Sequence, residues 1–465
     1  ANLMRELMLL PDASPVTPAP PPQPTRRRPG HTRNDAVAQR AWQLWEQPER
    51  MTRAWIYTQA INSARHVAGL KPIIKNEFGK GPAAPSEAQR QAVNTLLKPL
   101  QKRLFAGSNA MKGFRERLMR TIDYPELLQF LMLKERNEKL TKAIERVWDF
   151  YHDIFLQRRT RFAPQLLACD RISKDCYQAV YTRLGEPRPI PAPAPFCYMA
   201  PMRSPATFRR FVRVTHLGKL PNPFPLIKVP RRRLMNPWTL GAIPHEVSHN
   251  LSSDLKLWFT IPRAILRRLL RENIPRSVAR IWARWHKELF ADLCGTLLTG
   301  PAFVASLIDL LSRSPRRTLA FRPRAVHPVP YLRVFISIEL LHRMGFEREA
   351  TAYRKLWSRL YPGRFSGTLP RDLMQNFSTA RRLVVDTVCF QRYRQLGNLA
   401  LAEVVQFSPN DQVMADQAAR RLAAGVDPGI VPERFLISAA RVALDRRLAR
   451  PDVIATNFYQ ALVRR

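Results

Sequence analysis

The chain has 465 residues, 45% of them hydrophobic, and carries a formal net charge of +40. That apolar fraction excludes a disordered or collagen-like chain, and the length suffices for two or three domains with their own cores. The charge predicts attraction to polyanions such as nucleic acid, an anionic membrane or an acidic protein surface, although a generally basic solvated surface is the plainer reading. Basic residues run along the whole chain with no nucleic-acid-binding motif among them.

Residues 1–33 open with a short apolar run interrupted by Glu6, too short for a signal peptide. The expectation is a protein of the cytoplasm, or one exported without a signal peptide. The Pro- and Arg-rich stretch from Pro11 to Arg28 cannot bury apolar surface, so the whole segment reads as disordered, extended and basic. Five cysteines (169, 176, 197, 294 and 389) show no C-x-x-C spacing, which predicts no disulfide framework and a reducing compartment. Residues 34–186 read as a helical N-terminal domain. Its helical patterns cover 36–45, 51–70, 86–105, a run from Asp123-Tyr124-Pro125-Glu126 to 156, and 165–184. None of them carries a chemical motif.

Residues 187–345 hold the chemistry. A proline-rich run to Pro195 marks the boundary. Phe211 to His216 alternates apolar and polar residues, and Leu226, Ile227, Lys228 and Val229 form a second short strand bounded by prolines. An edge strand can pair with an extended peptide, and Leu226 to Val229 is the candidate for that role. His245-Glu246-Val247-Ser248-His249 follows. On a helix, His245 and His249 share a face and can hold one metal ion, while Glu246 can take a proton from a water bound to it. Pro244 either kinks this helix or lies at its start. The basic, amphipathic stretch 251–273 could cover a cleft. A helical pattern over 278–298 places Glu288 and Asp292 one turn apart on one face.

A tetrahedral catalytic zinc needs a third protein ligand and one open position. Glu288 fits the first, and Asp292 fits the partner that accepts the free N–H of a ligand histidine. Asp292 itself and His286 are the other candidates for the third ligand. His286 lies two residues from Glu288, faces elsewhere on the helix and follows Trp282 and Trp285, so it reads as a packing residue. The apolar run 294–311 contains Gly300-Pro301 and Asp309, and reads as core rather than as a membrane span.

His327-Pro328-Val329-Pro330-Tyr331-Leu332-Arg333 is the last motif. The order His-Glu-x-x-His, Glu-x-x-Ala-Asp, then His-Pro before a helix with Arg resembles the gluzincin metallopeptidases of the CAAX-prenyl-protease type, over roughly residues 236–341. The resemblance implies zinc-dependent hydrolysis of a peptide bond, with His245, His249 and Glu288 as ligands, Glu246 as general base and His327 stabilising the oxyanion. Tyr331 is the reserve donor, since a phenol can make the same hydrogen bond. This chain has Ser248 where the family usually has Gly, and it shows no membrane span where many members do. Residues 346–465 read as helical, with patterns over 347–360, 370–396, 411–424 and 432–448.

The expected fold is mainly α with a small β-sheet, an α+β zincin-like catalytic core flanked by helical regions. The expected activity is that of a zinc metallopeptidase with one Zn²⁺, a peptide or protein substrate and no transmembrane segment. Its charge suggests a polyanionic or acidic protein partner. Two other readings stand beside it: a non-catalytic, strongly basic structural or polyanion-binding protein that contains zinc, and a secreted or injected peptidase effector or toxin.

Overall fold

The computed structural model describes residues 48–185, 189–201, 205–218, 220–363 and 368–465. The segment 1–33 and the pattern at 36–45 lie outside the described residues. The fold is mainly α with small sheets, about 70% helical. Four helices come first: α1 (Pro48–Gly69), α2 (Glu87–Leu118), α3 (Tyr124–Leu156) and α4 (Ala163–Leu184). Their starts follow from local chemistry. Ser86 and Gln89 form a reciprocal capping box on α2, and the Asp123 carboxylate accepts from the Glu126 amide, with Pro125 in the first turn of α3. Helix α2 runs on past 105, through Gly107 and Ser108, to Leu118. Gly107 belongs there for contact, because a Cβ would lie 2.1 Å from Asn137 Oδ1 of α3.

The three-stranded sheet has the order β1-β3-β2, from β1 (Phe196–Met199), β2 (Ala206–Phe208) and β3 (Leu226–Val229). Strand β3 pairs parallel with β1, Phe196 opposite Leu226, and antiparallel with β2, Ala206 opposite Lys228. Leu226–Val229 is therefore the central strand. Both its edges are taken, so it cannot receive a peptide by backbone pairing, and that sequence expectation is corrected. The predicted strand at 211–216 is also absent. Phe211 has φ +61°, Arg213 makes only an isolated bridge to Pro221, and Thr215–Leu217 is a 3₁₀ turn. Buried Asn222 organises that loop, bonding Tyr151 and the carbonyls of Phe208 and Arg209.

The outer edge of β1 is closed by side chains. Asp170 accepts from the Cys197 amide at 2.7 Å, Arg158 donates to the Cys197 carbonyl, and Gln157 bonds both backbone groups of Met199. Strand β2 is the edge left for pairing among the described residues. It runs beside the helix that carries the His-Glu-x-x-His motif, where the Asn250 amide donates to Thr207 Oγ1 at 2.9 Å.

That helix is α5 (Ala242–Asp254), followed by α6 (Thr260–Arg271), α7 (Arg276–Arg284), α8 (His286–Thr299), α9 (Pro301–Leu311), α10 (Pro330–Arg343) and α11 (Glu347–Leu360). The single helix expected over 278–298 is broken at buried Trp285 into α7 and α8, and Gly300, at φ +63°, separates α8 from α9. The stretch 251–273 gives the cleft only Trp258 and does not cover it. Its first residues end α5, and α6 buries Ile261, Ile265 and Leu269 in the core instead. The region expected as one helix over 370–396 is two short helices, Arg371–Gln375 and α12 (Phe377–Val385), a π turn at Asp386–Phe390 and a two-stranded pair, β4 (Arg392–Tyr393) with β5 (Leu399–Ala400). Helices α13 (Pro409–Ala423), α14 (Phe435–Asp445) and α15 (Pro451–Arg464) complete the chain.

A continuous apolar core spans Phe162 to Leu462 and surrounds α5 and α8. Helix α4 and the C-terminal helices thus pack into the same core as the motif helix. A second cluster joins α2 and α3 to β1 and β3. No helix of the described residues is long and apolar enough to cross a membrane.

Candidate metal centre

Helix α5 starts two residues before Pro244. The proline occupies the first turn, where its missing N–H would have no helical partner. One turn of helix separates His245 from His249, and their rings stand edge to face with centroids 4.8 Å apart. Ser248 faces the neighbouring helix, where it meets Cys294. It is fully buried and donates to the Pro244 carbonyl at 2.6 Å, so a hydroxyl is accommodated where a glycine was expected. Tyr177 of α4 donates to Asp254 at the end of α5 at 2.9 Å, which fixes the helix against the core.

Helix α8 packs along α5 and supplies the carboxylates. Glu288 Oε2 lies 3.6 Å from His245 Nε2, Glu288 Oε1 lies 3.4 Å from His249 Nε2, and the two Nε2 atoms are 3.2 Å apart. Each histidine lies nearest a different oxygen of that carboxylate, and one ligand atom from each of the three residues falls within 4.8 Å of the others. Donors sharing one tetrahedral Zn²⁺ lie about 3.3–3.6 Å apart, so small side-chain shifts would seat that ion. His245, His249 and Glu288 together could hold a metal ion. Asp292, one turn on, accepts from His245 Nδ1 at 2.9 Å. A carboxylate only accepts, so Nδ1 keeps its proton, and once the ring is neutral the Nε2 lone pair faces the other two ligands.

Arg333 of α10 closes the arrangement from behind. Its Nε and Nη2 donate to the two oxygens of Asp292 at 2.7 and 2.8 Å, and Nη2 also lies 3.2 Å from Glu288 Oε2. Sequence reading located this arginine at the head of a helix without giving it a function. The one available signal was its place in the His-Pro-x-Pro-x-x-Arg run.

The charges shape one another. Burial alone would raise the carboxyls of Glu288 and Asp292, but Arg333 and the histidines outweigh it and hold both below their ordinary values. Burial alone would lower the His245 imidazole, yet Asp292 and Glu288 raise it to about 10. A ligand imidazole is neutral, so cation uptake is coupled to loss of that proton. Glu246 is buried and its carboxyl is raised by desolvation, against the lowering effect of the two histidines.

The centre opens on a cleft of about 1220 Å³ lined by β2, α5, the start of α8 and the segment from Arg313 to Arg333. His327 stands at its mouth with a side chain 66% exposed and Nε2 3.4 Å from Glu288 Oε1. Tyr331, the reserve donor, is not in the cleft. Two residues before Arg333 on α10, it faces away, packing its ring on Phe335 and Tyr361, so that expectation is corrected. His286 packs edge-on against Trp258 and bonds the Ala283 carbonyl, away from the ligand triangle. The five cysteines are all buried and unpaired.

Compared with known protein families, characterised proteins and solved structures, the chain matches none.

Proposed function

We propose that this chain is a zinc-dependent metallopeptidase of the gluzincin type, hydrolysing peptide bonds. The observation that carries the reading is the cluster of His245, His249 and Glu288, whose ligand atoms lie within 4.8 Å of one another and face an open cleft. Bound there, Zn²⁺ would supply a Lewis acid and lower the pKa of a water at its open position. The remaining chemistry belongs to the chain. Glu246, next to the first ligand and raised by burial, suits a general base that accepts a proton from the attacking water and delivers it to the leaving amine. Asp292 and Arg333 orient His245 and hold Glu288 in its ligand position. His327 is placed to donate to the carbonyl oxygen as negative charge builds on it. The free edge of β2 offers backbone groups to an extended peptide, a role the closed edge of β1 and the central position of β3 do not allow.

The test is metal content by elemental analysis, together with mass spectrometry of a peptide mixture incubated with the protein. One zinc per chain and defined cleavages are expected. Glu246→Gln should keep the metal and cleave nothing. A protein that binds no zinc after loading, or a Glu246→Gln variant that cleaves like the wild type, would overturn the reading.

A further inference from the structure

The cleft that leads to the metal centre is charged in one sense. Arg209, Arg233, Lys287, Arg316, Arg317 and Arg322 line it, and its only lining carboxylates among the described residues are Glu246 and Glu288, both part of the centre. Elsewhere cations are commonly paired, as Arg158 is with Asp170 and Arg434 with Asp175. Among the described residues, none of those six has a carboxylate oxygen within 4.0 Å. Two of them are held in place rather than free in solvent. The Arg209 guanidinium lies 3.9 Å and the Lys287 ammonium 3.7 Å from the Trp258 ring, so two like charges share one indole. An anion between or beside them would relieve that repulsion.

Their position in the chain matters as much as their charge. Arg209 directly follows β2, the free strand edge, and Lys287 directly precedes the ligand Glu288. A peptide paired with β2 would therefore carry its side chains nearest the metal past these two cations. We propose that the cleft selects acidic peptides, with Arg209 and Lys287 receiving Asp or Glu side chains close to the bond presented to the metal centre. The reference to a cleaved bond rests on the metallopeptidase reading; recognition of the acidic peptide does not. A peptide fits better than a nucleic acid for two reasons. The cleft is bordered by a strand edge that recognises backbone amides. The ring of Trp258 already carries two cations, so it cannot serve as a stacking platform for a base.

The experiment measures binding by fluorescence anisotropy to the zinc-loaded Glu246→Gln variant. The probes are a fluorescein-labelled alanine-based nonapeptide with three Glu residues, the same peptide with Gln in their place, and a single-stranded oligonucleotide. The Glu peptide should bind at least about tenfold tighter than the Gln peptide. Adding Arg209→Gln and Lys287→Gln should remove most of that ratio. Should that double change unfold the protein, exposed Arg316→Gln with Arg317→Gln makes the same comparison and should reduce the ratio. Equal affinity for the two peptides overturns the proposal. So does a preference that survives both pairs of changes, which would assign it to the overall charge, or an oligonucleotide that binds tighter than the Glu peptide. Separately, the wild type is assayed for cleavage of the Glu peptide. Selective binding without any cleavage would leave the acidic cleft standing and sink the peptidase reading; cleavage with no preference for the Glu peptide would do the reverse.

Discussion

Arg333 is the joint of the metal centre, and its removal has a calculable cost. The guanidinium donates to both oxygens of Asp292 at 2.7 and 2.8 Å and reaches Glu288 at 3.2 Å, with all three side chains buried. At about 4 Å between charge centres and an effective dielectric near 20, one such pair attracts by roughly 4 kcal/mol. Arg333→Met keeps most of the volume but removes the buried guanidinium that pairs both carboxylates, so a loss of about 3–5 kcal/mol is expected in the metal-free protein. Saturating Zn²⁺ supplies positive charge to the same carboxylates, and the deficit should shrink when it is bound. Urea unfolding with and without Zn²⁺ reads both quantities. The same groups set the acid limb. Glu288 and Asp292 are held below their ordinary values of 4.5 and 3.8, so the stability they contribute is present above that range and is lost as pH falls below it. Arg333→Met should therefore lose less stability than the wild type between about pH 5 and pH 2. An Arg333→Met protein as stable as the wild type without metal would refute the reasoning.

Three further outcomes follow from the geometry. Glu288→Ala removes a corner of the ligand triangle and should abolish zinc binding, whereas Asp292→Ala should weaken it by about 10–100-fold in a chelator competition, as loss of a ligand's orienting partner does. His327→Ala should lower kcat by about 10²–10³ with KM little changed; because the side chain is 66% exposed, the melting temperature should stay where it is, and an unchanged kcat removes His327 from the site. Gly295→Ala would bring a Cβ within 2.3 Å of the Phe303 ring, which stacks 6.5 Å from His245, and should cost about 1–3 kcal/mol in urea unfolding. An unchanged midpoint would mean that Phe303 moves aside freely.

What sequence reading recovered at this site was local. His245 and His249 were legible as a pair because four residues make one turn of helix, and Glu288 and Asp292 for the same reason. The Ser86 and Asp123 helix starts were equally readable, since a cap is a contact between near neighbours. Asp292 meets His245 Nδ1 as the spacing suggested. Errors arose both from helix breaks and from contacts the chain order does not show. Alternation at 211–216 looked like a strand, but the loop is held by Asn222 and no partner strand lies alongside it. Tyr331 looked like a donor because it neighbours His327 in the chain, while the helix turns it toward Phe335 and Tyr361.

The available chemistry was readable from residue order alone: which side chains could be ligands, which carboxylate stands next to them, and a chain mainly helical with a small sheet. Side-chain periodicity within one helix is a property of the backbone, so no further information was needed. Only the tertiary structure decided which strand edge is free. Pairing of β3 with strands from two separate segments buries both its edges, while Arg158, Gln157 and Asp170 close that of β1. It also brought Arg333 behind the carboxylates and set Arg209 and Lys287 on one indole at the mouth of the cleft. These contacts join residues far apart in the chain, and their energies depend on what the whole fold excludes from water.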